Sequence, residues 1–373
     1  MDKYTAPDFV DINITNNCNM NCTHCYIGEQ NLNEMSLKQG IDYIRQLRDL
    51  GVFKISLTGG EPLLHPNFLD FIKEIKACDM EPMVNSNGVL FNDSLIDKLD
   101  KILINKKMLV AISLDGLGNN KYSELRKWKN GTAASDAFDI VIKNAYKLVK
   151  KGYLIVFNFT YTNLNKSDLF SLYDFLEKKF KDYKFILNII LFGVSGNGVK
   201  NKNELSINYN DWKSDINRIM KLKLKGKLKY LKIEPTCPWE VYVPLEDYSH
   251  ELIEKNISYI SPLRNSIYNK SRDIGCHAGI TNIVINWDGK IYPCGLYPVN
   301  SKLCLGDLNK ESLLEIWNNS VLLQQLRKLK LQDLDEECQQ CNFKEICGGG
   351  CRGAAIQITQ SLFGKDLRCP LLN

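Results

Sequence analysis

Over the first two-thirds of the chain, short stretches alternate apolar and polar residues one by one. Longer stretches between them repeat apolar residues every three or four positions. The first pattern marks half-buried strands and the second amphipathic helices. "FVDINIT", "VFKISLTGG", "EPMVNSNG", "KKMLVAISLDG", "YLIVFNFTYT" and "KFILNIILFG" read as strands; "SLKQGIDYIRQLRDLG", "PNFLDFIKEIKACD" and the segments 93–103, 134–151 and 166–180 read as helices. Strands and helices in this alternation predict right-handed β-α units around a parallel sheet. Six strands fit within about 190 residues, short of the ~250 of a full eight-fold barrel, so the fold class expected is α/β with a partial (β/α)6 TIM-like barrel.

The polar, lysine-rich stretch 197–232, ending "KLKLKGKLKYLK", reads as a solvated helix face and a further strand. From about residue 270 the alternation stops, and glycines and cysteines cluster. The expected organisation is a barrel over 1–230, a bridging region over 231–269 and a small cysteine-rich domain over 270–373. The C-terminal ends of the barrel strands carry the unusual residues: a cysteine loop, "TGGEP", "NSNG", "SLDG" and "GVSGNG". Chemistry in barrels is built at that end.

Composition narrows the class. A hydrophobic content of 44% and a charged content of 24% are those of a globular protein that buries a sizeable core. Lysine and arginine (48) exceed aspartate and glutamate (43) by only five, without an arginine-rich block, so a nucleic-acid partner is not expected. The N-terminus "MDKYTAPDFVDINITN" has no basic segment followed by an apolar one, and no stretch approaches the roughly 20 apolar residues of a membrane span. A cytoplasmic location without membrane association is expected. In that compartment thirteen cysteines point to metal or catalysis rather than disulfides. Three lie near the N-terminus and nine after residue 236; Cys78, following a helical stretch, reads as a small core residue.

Cys18, Cys22 and Cys25 lie within "NCNMNCTHCY". Three thiolates on one loop hold three corners of an iron–sulfur cube, where four cysteines are usual, and leave one iron open to a ligand. A structural zinc site is the other reading, with His24 as fourth ligand; its adjacency to Cys25 makes a shared tetrahedron awkward.

CxxxCxxC with a following aromatic, Tyr26, after the first strand of an α/β chain resembles the radical S-adenosylmethionine (SAM) superfamily. "GGEP" (Gly59, Gly60, Glu61, Pro62), "NSNG" (Asn85 to Gly88) and "SLDG" (Ser113 to Gly116) follow the next strands in the order seen in that superfamily, and the resemblance covers residues 8 to about 195. It implies that SAM chelates the open iron and is cleaved by one electron to methionine and a 5′-deoxyadenosyl radical that abstracts hydrogen from a substrate. It implies contacts for Tyr26, for the Gly59 and Gly60 backbone near the methionyl amine, and for Glu61 with the ammonium. Ser113 and Arg126 are implied at the carboxylate, which suits a planar guanidinium fork. Asp115 shapes the turn or meets the ribose, and Asn85 and Asn87 serve the turn or the ligand. A flavodoxin- or ferredoxin-type reductant is implied as well.

The C-terminal "GCHAGITNIVINWDGKIYPCG", "LGDLNKESLLEIWNN", "CQQCNFKEICGGGCRG" and "RCPLLN" together resemble the SPASM extension of one branch of that superfamily. "DGKIYP", with Gly289, is a hairpin signal. The resemblance implies two auxiliary four-iron clusters. Cys338, Cys341, Cys347 and Cys369 hold the distal one, and Cys276, Cys294 and Cys351 the nearer one, which is left a ligand short. Cys237 and Cys304 are the remaining candidates, with Cys304 also readable as a core residue. Cys237 has a second, catalytic reading, as a hydrogen-atom donor at the barrel mouth. The clusters relay electrons or staple a small domain.

Relatives with this extension mature peptides, sulfatases, a quinone-cofactor precursor and haem. The sulfatase-maturing branch usually has an aspartate where this chain has Gly295, which speaks against that reading. A peptide substrate is expected, to be cross-linked (thioether or carbon–carbon) or epimerised; the alternatives are a small molecule such as a tetrapyrrole or an amino sugar, a non-catalytic iron–sulfur electron carrier, and a zinc module. No long segment precedes the first strand, so a leader-peptide-binding function is expected from a separate partner if one is needed.

Overall fold

The computed structural model describes residues 5–104, 107–257, 274–299 and 301–372. Six β-α units open the chain. Their strands are β1 (Phe9–Thr15), β2 (Lys54–Gly59), β3 (Glu81–Ser86), β4 (Leu109–Ser113), β5 (Leu154–Tyr161) and β6 (Phe185–Leu191). All pair in parallel with their neighbours. The intervening helices are α1 (Leu37–Leu50), α2 (Phe68–Ala77), α3 (Asp93–Ile102), α4 (Gly118–Leu125) and α5 (Ala137–Lys150), with α6 (Leu169–Lys179) between β5 and β6. This is the α/β partial barrel that the alternation predicts. Within these units α4 alone has no counterpart among the helical patterns of the sequence. Ser36 starts α1 through a reciprocal capping box with Gln39, which satisfies two orphan donors at once.

Alternation along the strands sorts the two faces. Val10, Ile12, Ile14, Ile55, Leu57, Phe157 and Phe159 are at most 1% exposed and join the helices in one core. The residues between them face the barrel interior. The lysine-rich stretch forms a helix, Tyr209–Leu224, and β7 (Leu231–Ile233), which extends the sheet beside β6.

The sheet does not end with the barrel. β8 (Asn282–Ile285) pairs in parallel with β1, and β9 (Lys290–Tyr292) and β10 (Gly306–Asp307) follow as antiparallel strands. The order across all ten strands is β10-β9-β8-β1-β2-β3-β4-β5-β6-β7. Gly289, at φ +82°, forms the expected hairpin turn. The segments expected as barrel, bridge and C-terminal domain therefore each supply strands to one sheet. Residues 258–269 of the bridge, and 270–273 at the start of the third segment, lie outside the described residues. No helix among the described residues is long and apolar enough to cross a membrane.

Candidate active site

The cysteine loop leaves β1 and is clamped from two sides. The backbone N–H groups of Asn21 and Thr23 donate to the carbonyls of Lys127 and Leu125 at 2.9 and 3.0 Å. Asn197, after β6, donates its backbone N–H to the Cys25 carbonyl at 2.8 Å and its amide to the Cys22 carbonyl at 3.0 Å. Gly196, in the "GVSGNG" stretch, must be glycine: a Cβ there would meet the Cys25 carbonyl oxygen at 2.4 Å. Cys18 and Cys22 are buried and Cys25 half-buried. Cys22 and Cys25 are near enough to Cys18 to oppose its ionisation, and Cys25 opposes that of Cys22. Burial pushes Cys18 up to about 12, helped by Glu61, and Cys22 up to about 11, opposed by Arg126. Iron binding to such thiols displaces their protons.

"GGEP" lies directly under this loop. A Cβ on Gly59 would meet the Thr15 carbonyl oxygen at 2.2 Å, and one on Gly60 the Asn17 carbonyl oxygen at 2.2 Å. The backbone N–H groups of Gly60 and Glu61 donate to those two carbonyls at 2.8 Å. The glycines thus seat the start of the cysteine loop against β2, a reason the sequence alone does not reveal. Glu61 is fully buried. Its carboxylate accepts from Ser86 Oγ at 2.8 Å, Asn87 N at 2.8 Å and Leu63 N at 3.2 Å, which binds "GGEP" to "NSNG". Burial raises its carboxyl to about 7, against the Asn87 and Ser86 hydrogen bonds.

Asp115 is also fully buried. Arg126 Nε and Nη2 donate to its Oδ2 at 2.8 and 2.6 Å, His24 Nε2 lies 3.2 Å from the same oxygen, and Thr160 N donates to Oδ1 at 2.7 Å. Burial alone would raise this carboxyl; Arg126 and then His24 overcome it and hold it well below the usual range. His24 is therefore engaged by Asp115. The remaining Arg126 nitrogen, Nη1, lies 3.8 Å from Cys22 Sγ. Ser113 ends β4, half-buried and in register with Asn158. Tyr26 is 40% exposed, with Thr58 and Asp11 near its hydroxyl. Gly295 leaves room for its ring: a Cβ there would sit 3.2 Å from Tyr26 Cε2.

The C-terminal cysteines fall into two groups. Cys338, Cys341, Cys347 and Cys369 line one pocket with Trp239, Gly349 and Gly350, and their charges oppose one another. Cys276 and Cys351 oppose the ionisation of Cys294, and Cys276 that of Cys351. Among the described residues no three His, Cys, Asp or Glu side chains close round a single ion. Four sulfurs about one pocket, and a second group of three, are the donor sets of iron–sulfur groups rather than of one ion. Cys237 is 2% exposed and packs in one apolar cluster with Cys351 and Cys369. Its thiol donates to Glu240 at 3.4 Å and Asp366 at 3.7 Å, and accepts from Arg368 Nη2 at 3.5 Å. The structure thus brings Cys237 to the extension's thiols. Cys304 donates to the Gly306 carbonyl at 3.1 Å, beside β10, and Cys78 is buried at the end of α2.

Two carboxylates in the barrel escaped the sequence reading. Asp11, on β1, is hydrogen-bonded to Ser56, and burial pushes its carboxyl up to about 7, with Glu234 adding to the rise. Glu234, just past β7, accepts from Asn188 Nδ2 at 2.7 Å. The available signal was a charged residue at an inward position of an alternating strand, as in "FVDINIT".

Residues 12–176 match the family described as the radical SAM superfamily, and residues 276–342 match the SPASM iron–sulfur cluster-binding domain. Fe-coproporphyrin III synthase of Methanosarcina barkeri is 24% identical over 96% of this chain and 86% of its own length. The antilisterial bacteriocin subtilosin biosynthesis protein AlbA of Bacillus subtilis is 24% identical over 93% of this chain and 68% of its own. Among solved structures, Streptococcus suis SuiB bound to S-adenosylmethionine superposes with a TM-score of 0.74 at 20% identity, over 98% of this chain and 78% of its own. SuiB bound to its precursor peptide SuiA gives 0.73 at 21%, over 98% and 76%. At these identities the two structures establish the shared fold.

Proposed function

As a member of the radical SAM superfamily with a C-terminal SPASM domain, this chain is an enzyme that uses SAM and iron–sulfur centres, and we propose that it modifies a ribosomally made peptide, by a thioether or carbon–carbon cross-link or by epimerisation. The observation that carries this reading is the alignment over 93% of the chain with AlbA, whose name places it in subtilosin biosynthesis. A four-iron cluster on Cys18, Cys22 and Cys25 would leave one iron for SAM and supply the electron that yields a 5′-deoxyadenosyl radical. Around it, the Gly59–Gly60 backbone and Glu61 would hold the methionyl amine, Ser113 and Arg126 Nη1 the carboxylate, and Tyr26 the approach from the barrel. Asp115 acts through Arg126 and His24. The division into 1–230, 231–269 and 270–373 is proposed on the same footing. So are an auxiliary cluster at each C-terminal cysteine group, a flavodoxin- or ferredoxin-type reductant and a separate leader-binding partner.

The reading is tested by incubating reconstituted protein, SAM and reductant with short peptides encoded beside its gene. Loss of a hydrogen pair by mass marks a cross-link, and uptake of solvent deuterium marks epimerisation. A second reading, a tetrapyrrole substrate, draws on Fe-coproporphyrin III synthase, which is as similar as AlbA. Conversion of a tetrapyrrole with every peptide unchanged would replace the first reading by the second.

Cys237 has two roles to separate. Arg368 faces both Cys237 and Cys351, which supports Cys237 as the fourth ligand of the nearer cluster. Cys237→Ala is then expected to release part of the C-terminal iron and its visible absorbance, the amount held by one four-iron cluster. Full iron with uncoupled SAM cleavage would instead assign hydrogen donation.

A further inference from the structure

The inward face of the barrel carries one hydrogen-bond acceptor that the protein itself does not satisfy, Asn13 Oδ1, and two carboxylates, Asp11 and Glu234, without a cation among the described residues. Asn13, on β1 two residues beyond Asp11, is 7% exposed. Its amide nitrogen donates to Asn286 Oδ1 at 2.6 Å, which leaves its own oxygen Oδ1 pointing elsewhere, buried and without a partner. Asp11 stands beside Ser56 in the β1–β2 register, and Asn13 beside Thr58. Glu234 approaches from the far end of the sheet, close enough for its charge to act on Asp11. Neither carboxylate forms an ion pair among the described residues. Two lysines stand at inward positions. Lys54 is at the N-terminal end of β2, and Lys232 is near Lys223, whose ammonium feels its charge.

A buried acceptor such as Asn13 Oδ1 is costly until a donor reaches it, and a half-buried carboxylate is left uncompensated until a cation does. Resting on the peptide reading above, we infer that the barrel interior is a cradle for the protonated amine or guanidinium of a lysine or arginine side chain of the substrate, received by Asp11, Asn13 Oδ1 and Glu234. Such a group brings several N–H donors and a charge opposite to that of the two carboxylates. A polycarboxylate brings like charge and no donors to the same place, so the lining also selects against it. The Tyr26 hydroxyl, next to Thr58 and near Asp11, joins this cradle to the residue that follows Cys25. A side chain held there lies beside the cysteine loop.

The test uses the reconstituted protein with SAM, under anaerobic conditions. Three fluorescent nine-residue glycine–serine peptides are compared by anisotropy, with a central lysine, Nε-acetyl-lysine or glutamate; iron-free coproporphyrin III is the polyanionic competitor. The lysine peptide is expected to bind at least roughly tenfold tighter than the other two, as a charge-assisted hydrogen bond implies. Asp11→Asn is expected to erase most of that preference while the protein keeps its iron. Equal affinities, a preference for glutamate or the porphyrin, or a full lysine preference retained in Asp11→Asn overturns the inference. The wild-type comparison stands even if the variant does not fold. Release of 5′-deoxyadenosine from SAM by the wild type is scored separately. Cleavage without lysine preference rejects the cradle alone, and its absence rejects the radical reading.

Discussion

Cys22→Ala is expected to abolish formation of 5′-deoxyadenosine and to remove one cluster's worth of iron, leaving the iron at the C-terminal thiols in place. Cys22 is buried in a loop held by the segment after α4 and by Asn197. No other thiol is placed to substitute for it: Cys78 is at the end of α2, and the remaining cysteines lie in the C-terminal part or, as Cys237, beside it. Alanine leaves two thiolates, too few for a site that already works with one ligand fewer than the usual four. Because burial keeps Cys18 and Cys22 protonated up to about 12 and 11, iron must displace their protons. Reconstitution of the wild type should therefore quicken as pH rises from 7 to 9. Chromatographic assay of the nucleoside, with iron counted before and after, checks both statements. Nucleoside release at an undiminished rate by Cys22→Ala would remove the cysteine loop from the chemistry.

Asp115→Ala is expected to destabilise the barrel by about 3–5 kcal/mol, the cost of leaving a buried charge without its partner. The stranded charge is Arg126, which is 6% exposed and loses both of its short contacts, and His24 loses its acceptor at the same time. Asp115→Asn should cost less, since an amide oxygen still accepts from Thr160 N. The pH dependence follows from the direction of the shift. The folded carboxyl is held below its unfolded value. Its contribution is thus fully present above the ordinary carboxylate range and is lost only as pH falls through the depressed folded value. Denaturant titrations at pH 8 to 9, well above the carboxylate range, should show the gap between wild type and variant, and SAM affinity should fall with it because Arg126 is no longer oriented. An Asp115→Ala protein as stable as the wild type would mean that solvent or another carboxylate reaches Arg126.

The elements of the barrel were legible because each is a local pattern: "FVDINIT" alternates and "SLKQGIDYIRQLRDLG" repeats, whatever they pack against. The helix Gly118–Leu125 was not, since its buried face is interrupted by polar residues, with Tyr122, Ser123 and Leu125 inside. The pairing of β8 with β1 joins residues some 270 positions apart, and nothing in either strand announces the other. At the site, the cysteine spacing and "GGEP" could be read one motif at a time, but the bonds between motifs could not. Glu61 looked like a ligand for an ammonium, and it also ties Ser86 and Asn87 to its own loop. His24 is awkward as a zinc ligand because it adjoins Cys25, and its partner Asp115 lies on another loop, which no local motif announces.

β8 runs beside β1 over four matched residue pairs. The C-terminal hairpin is thereby the selvedge of the barrel's own fabric. Cut away, it would bare a row of amide groups on β1, the kind of border that recruits a second chain and seeds precipitation. The thiol-rich tail thus guards solubility as well as whatever it carries, and its separation from the N-terminal loop is ruled by woven backbone rather than by a tether.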